Sequence, residues 1–206
     1  MDRRVFGITL VSAFSLLAGS PTVAAELKIG EAPPAFTAVN SDNKPVNLSD
    51  YRGKTVVLEW TNDGCPYVRK HYNSGNMQAL QKKWTGQGIV WLSVISSPPG
   101  EQGYATPVQA NKLTVDRNAV PSAVLLDPKQ QVARAYNAVA TPTMFVITPE
   151  GKLAYMGAID DKPSTRLSDV ETAKNYLDAA LTELKSGKTV STPVTRAYGC
   201  VVKYTS

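Results

Sequence analysis

Apolar and polar positions fall into short blocks whose periods change along the chain. "TVVLEWTN" (55–62), "IVWLSVIS" (89–96) and "PSAVLLD" (121–127) are runs of β-branched and apolar residues. Runs of this length, bounded by turn residues, predict buried strands of a central sheet. Before them, in "APPAFTAVNSDNKPVNLSDYRG", Phe36 and Val39 flank a short extended piece, "NSDNK" has turn chemistry and "PVNLSDYRG" returns to the body, which predicts an N-terminal hairpin. Between and after the strands the period becomes helical. From Pro66 to about Trp84 the apolar positions Tyr67, Tyr72, Met77, Leu80 and Trp84 predict a helix interrupted near "NSGN". Shorter helices are expected over 107–117 and in "PKQQVARAYN", and "TPTMFVITPEGKLAYMGAIDD" reads as two strands joined by a Pro-Glu-Gly turn. Residues 168–186 carry Val170, Ala173, Tyr176, Leu177, Ala180, Leu181 and Leu184 on one side, the pattern of a closing amphipathic helix. The tail, "STPVTRAYGCVVKYTS", shows no period and is expected to be irregular. Strands alternating with helices, followed by a hairpin and a terminal helix, predict an α/β fold with a central mixed sheet.

A chain of 206 residues, 43% hydrophobic and 19% charged, suits one domain with a full core. The formal charge of +5 raises the question of an anionic partner. The basic residues are dispersed, however, and the pairs Arg69-Lys70 and Lys82-Lys83 read as solvated helix surface, so nucleic-acid binding has no support.

The first 25 residues stand apart. Arg3 and Arg4 precede an apolar stretch from Val5 to Ala18, and small residues end in Val23-Ala24-Ala25. The stretch is shorter than a membrane span, and the pattern predicts a secretory signal peptide over 1–25 and a mature domain over 26–206, periplasmic or secreted, without stable membrane insertion.

Export changes the meaning of two cysteines, because exported thiols meet an oxidising compartment. Cys65 and Cys200 form the only possible pair, and a structural staple and a redox pair both remain open. Local context separates them. Cys65 follows a predicted strand and precedes Pro66 at a predicted helix start, where unpaired N–H groups and the helix dipole favour a thiolate. Arg69, four residues on, is expected on the same helix face as a further positive charge, and Asp63 opposes it. Downstream, Thr141-Pro142 before a strand suits either an ordinary turn or a cis-proline loop.

"CPYV" opening a helix after a strand, with "ATPTMFVITPEGKLAYMG" far downstream, resembles the thioredoxin superfamily, in its exported redoxin branch of alkyl hydroperoxide reductase and thiol-specific antioxidant proteins. The resemblance, over about 28–186, implies a thioredoxin-like fold with Cys65 at the nucleophile position and Thr141-Pro142 on the loop that faces it and offers backbone hydrogen bonds to a disulfide partner. Three features depart from the family's patterns. Val68 stands where a dithiol motif has its second sulfur, and Leu58 and Asn62 replace the proline and the threonine or serine of peroxiredoxins. Exported redoxins with a "CPYVRKHY" motif carry similar tails, so Cys200 is the candidate resolving thiol for an adduct on Cys65.

These features lead to the expectation of a thiol oxidoreductase acting through Cys65, Cys200 and Arg69, with Pro66, Thr141 and Pro142 contacting a thiol or disulfide partner, protein or small molecule, and an unidentified reductant restoring it. Two alternatives are a peroxiredoxin-like peroxidase and a non-catalytic binding module with a structural disulfide. One histidine and two cysteines leave a metal site short of ligands, no Gly-rich phosphate loop occurs, and no cofactor is expected. His71 is expected at or near the helix surface, and Asp160 and Asp161 as capping or solvated carboxylates.

Overall fold

The computed structural model describes residues 26–205, so the expected signal peptide lies outside the described residues. The predicted hairpin is β1 (Thr37–Asn40) and β2 (Pro45–Asn47). The apolar runs become β3 (Val56–Trp60), β4 (Val90–Ile95) and β5 (Ala123–Leu126), and the Pro-Glu-Gly turn joins β7 (Thr143–Ile147) to β8 (Leu153–Gly157). Together these strands make one seven-stranded sheet in the order β2-β1-β5-β4-β3-β7-β8. β3, β4 and β5 run parallel, while β7 and β8 on one side and β1 and β2 on the other are antiparallel. Helices α1 (Pro66–Asn73), α2 (Asn76–Thr85), α3 (Pro107–Asp116), α4 (Gln131–Ala135), α5 (Asp169–Thr172) and α6 (Tyr176–Lys185) complete the thioredoxin-like α/β arrangement.

Alternate residues of the central strands feed opposite layers, as the period of a strand requires. Val56, Leu58 and Trp60 face a core with Leu92, Val94, Tyr136 and Phe145, while Val57 turns to the layer of Val68, Tyr72, Trp84, Leu177 and Leu181. Each large apolar side chain buried in this way stabilises the fold by about 1.5–3 kcal/mol. The central strands read as continuous apolar runs because both faces of the sheet are covered.

Gly75, at φ +76°, lies between α1 and α2, in a backbone region that side-chain-bearing residues adopt at a cost. The expected break near "NSGN" is therefore observed. The closing helix differs from expectation in being two pieces. Ala173 is extended, and the Asn175 side chain accepts from Asp178 N–H at 2.8 Å, starting α6 afresh. Leu177, Ala180 and Leu181 bury the predicted face. The tail is also more regular than expected. Cys200–Val201 form a strand, β9, antiparallel to β6 (Ala140–Thr141).

Candidate active site

β3 ends at Trp60, and the turn that follows delivers Cys65 to the mouth of α1. Asn62 shapes that turn: its side chain accepts from Gly64 N–H at 2.8 Å and its carbonyl from Cys65 N–H at 3.1 Å. Cys65 is the N-cap residue, extended at φ −79° and ψ 120°, and Pro66 opens the helix. The Thr141-Pro142 peptide is cis. The Cys65 sulfur, fully buried, donates to the Thr141 carbonyl at 3.1 Å.

β6 places Cys200 against the same sulfur. Thr141 is paired with Cys200 and Ala140 with Val201, and the two thiols come within hydrogen-bonding reach although both are free. Gly199 makes this approach possible. At φ +139° it has a backbone geometry that glycine favours, and a Cβ there would collide with the Thr141 carbonyl oxygen. Other tail contacts hold the strand on both sides. Thr195 Oγ1 accepts from Ala158 N–H at 2.9 Å, Val202 N–H donates to the Val139 carbonyl at 3.0 Å, and buried Gln130 donates to the Lys203 carbonyl at 2.6 Å.

The shared environment moves the two thiols in opposite directions. Burial raises the pKa of Cys65. Hydrogen bonds from the Cys200 thiol, Val68 N–H, the Thr141 hydroxyl and Cys200 N–H outweigh it, and the result lies below the ordinary thiol value. Thr141 Oγ1 is buried without a geometric hydrogen-bond partner among the described residues, and a Cys65 thiolate supplies an acceptor for it. Cys200 is pushed up to about 12 by burial, by its hydrogen bond to Cys65 and by the charge of that neighbour.

Arg69 is directed elsewhere. Its Nε donates to the Asp63 carbonyl at 2.7 Å, its guanidinium is 3.8 Å from the Asp63 carboxylate, and it is absent from the groups that lower the Cys65 pKa. Hydrogen-bond donors thus surround the sulfur where Arg69 was expected as a further positive charge, and Arg69 contacts Asp63, which Arg117 also pairs. The hydrogen bond to the Asp63 carbonyl, with the carboxylate's charge beside it, accounts for the difference.

Three other polar residues were expected near water and are buried. Lys70 Nζ is 3.3 Å from Asp160 Oδ2, His71 is fully enclosed, and Asp160 is 2% exposed. His71 lies three residues after Val68, on the side of α1 that packs inward, so the helical period already carried a signal for it. Nothing in the sequence alone joins Lys70 to Asp160. Asp161, in contrast, is exposed and accepts from Lys174 N–H at 2.9 Å.

Beside the thiols is a cavity of about 170 Å3, whose lining includes Trp60, Thr61, Ser96, Gln102, Thr141 and Cys200. Cys65 does not line it. Thr61 Oγ1, on its wall, is buried without a hydrogen-bond partner among the described residues. No helix among the described residues is long and apolar enough to cross a membrane.

A model of the AhpC/TSA family matches residues 29–156. The thiol-disulfide oxidoreductase ResA of Bacillus subtilis is 29% identical over 124 residues, 60% of this chain and 64% of that protein. The chain therefore matches somewhat less than two thirds of that relative's length. A hypothetical protein of Sinorhizobium meliloti has a similar structure, with a TM-score of 0.74, 23% identity, and coverage of 88% of this chain and 97% of that one. The thioredoxin domain of a thiol-disulfide oxidoreductase from Bacteroides vulgatus superposes with a TM-score of 0.52 at 21% identity, covering 71% of this chain and 98% of that one. The two structural likenesses agree with the thioredoxin-like topology described above.

Proposed function

The chain belongs to the AhpC/TSA family, and from its paired cysteines and its likeness to the thiol-disulfide oxidoreductase ResA we propose that it is a thiol-disulfide oxidoreductase whose working pair is Cys65 and Cys200. The observation that carries this reading is the β6–β9 register, which sets the Cys200 sulfur against Cys65. A structural staple has no need of one thiol held low and the other pushed up to about 12.

In the reductive direction the Cys65 thiolate attacks one sulfur of a partner disulfide, that S–S bond breaks, and half of the partner leaves as a thiolate. Cys200 then loses its proton and attacks the Cys65 sulfur, which releases the other half and leaves a Cys65–Cys200 bond. The partner has gained two electrons and the protein has lost two. A reducing dithiol restores the pair. Its first thiolate attacks Cys200, the half-exposed sulfur on the cavity wall, while Cys65 departs as the better leaving group. Its second thiolate then displaces Cys200, which takes up a proton as the reductant leaves as a disulfide. Thr141 supports the thiolate and, with Pro142 and Pro66, bounds the partner's approach. Arg69 acts only by holding Asp63 in the turn.

Partners are thiols and disulfides, on proteins or small molecules. A periplasmic or secreted location rests on the signal-like residues 1–25 and on the persistence of disulfides outside the cytoplasm. Peroxide reduction is the second reading, favoured by family membership, but neither Arg69 nor Arg117 reaches Cys65 to stabilise a peroxide beside it.

Turnover of an aromatic disulfide with a dithiol reductant tests the proposal, with intact mass measured before and after reduction. The wild type should turn over and lose two thiols on oxidation, Cys65→Ser should be inactive, and Cys200→Ser should accumulate a partner adduct on Cys65. A wild type no faster than Cys65→Ser would leave only a non-catalytic module. Peroxide consumption above that same control would instead support the second reading.

A further inference from the structure

Lys70, His71, Asp160 and Tyr198 come from three distant segments and meet in a cluster that the exchange chemistry above does not use. Lys70 Nζ donates to Asp160 at 3.3 and 3.4 Å, to the Lys162 carbonyl at 2.7 Å and to Tyr198 Oη at 3.2 Å. Tyr198 in turn donates to Asp160 Oδ1. Asn76 donates to His71 Nδ1 at 2.8 Å, which leaves the ring proton on Nε2, 3.5 Å from Tyr198 Oη and 3.8 Å from Asp160 Oδ2. The Tyr67 ring stands edge-on to Tyr198 at 5.8 Å. Tyr198 is the member that the tail contributes, two residues before Cys200.

A buried ion pair adds little to stability compared with well-packed apolar side chains, and its best-attested use is to fix a register. β9 needs such a device. It is two residues long, and a slip by one residue would turn the Cys200 side chain away from Cys65. Tyr198 has the means to prevent that slip. Its hydroxyl satisfies both a buried ammonium and a buried carboxylate, and a shift of the tail would leave those charges short of partners.

We infer that Tyr198 is a positioning residue, the latch by which the Lys70–Asp160–His71 cluster holds the tail in register, keeps Cys200 over Cys65 and closes Cys65 to outside partners until the latch opens. The inference rests on the proposed exchange between Cys65 and Cys200 and adds a control on access to it. Opening of the latch is then the step that admits a partner to Cys65.

The test measures alkylation of Cys65 by a maleimide in the full chain carrying Cys200→Ser, where Cys65 is the sole thiol and no internal exchange occurs. Addition of Tyr198→Phe, which keeps the ring against Tyr67, should speed alkylation about tenfold, the effect of losing a hydrogen bond to charged groups on the population of the open tail. Asp160→Asn should act in the same direction. In the chain with both cysteines, Tyr198→Phe should also move the ultraviolet titration of the Cys65 thiolate to higher pH, because the donors on Cys200 are no longer held in place. An unchanged alkylation rate and an unchanged titration in a folded Tyr198→Phe protein would overturn the inference. A wild type that forms the Cys65–Cys200 bond yet shows that result would lose the latch alone, whereas one that never forms the bond would lose the proposed function.

Discussion

One thiol in this site is held low because its hydrogen bonds outweigh burial, and its neighbour is raised chiefly by burial. The hydrogen bond that Cys200 donates to Cys65 drives the two further apart, since the proton that stabilises the Cys65 thiolate becomes harder to remove from Cys200. Cys200→Ala removes that donor, and the ultraviolet titration of the Cys65 thiolate should move to higher pH. His71 supplies a second prediction at the residue scale. Burial holds it at about 4 against an ordinary 6.5, with Asp160 opposing the shift and Lys70 adding to it. The native state thus takes up the proton less readily than the unfolded chain. Stability present above 6.5 is lost as pH falls from there toward 4, by on the order of 3 kcal/mol. Urea unfolding across this range should show the loss, and His71→Gln should flatten it.

At the scale of elements, β9 is a short strand that depends on its neighbours. It is exposed at Val201, has two residues, and is held by Gly199, by the Tyr198 contacts and by Gln130 beyond it. Gly199→Ala places a methyl group against the Thr141 carbonyl and demands a strained φ, so β9 should separate from β6. The thermal midpoint should fall by several degrees, and the Cys65–Cys200 bond should form much more slowly under mild oxidation, read by intact mass. α1 is fixed more firmly. Pro66 starts it, and Val68 and Tyr72 bury its inner face, so the cysteine at its mouth has little freedom.

Across the whole molecule, one carboxylate ties the sheet to its helical layer. Glu59, fully buried on β3, accepts from Tyr72 of α1 at 2.7 Å, Gln81 of α2 at 3.1 Å, and Trp91 and Ser93 of β4 at 2.8 and 2.9 Å. Glu59→Ala would leave these donors buried and unpaired beside a cavity, at a cost of about 3–5 kcal/mol. Chemical denaturation should show this as a large fall in midpoint, with Glu59→Gln losing less.

Local rules made the core of the fold legible. Apolar runs, turn residues and the helical period located the sheet, the hairpin and the break at Gly75, and the order strand, cysteine, proline, helix identified Cys65 as the candidate nucleophile. Each of these depends on neighbours in the chain, where steric and hydrogen-bonding preferences act directly. Arg69 shows the limit of such rules, since helical spacing placed it near Cys65 but the opposite charge of Asp63 drew it away. The strand character of the tail, the burial of Lys70 with Asp160, and the meeting of Cys200 with Cys65 were decided only in three dimensions. Those features join segments far apart in sequence, and their stability comes from desolvated charge and from backbone groups that find partners only after the sheet has assembled.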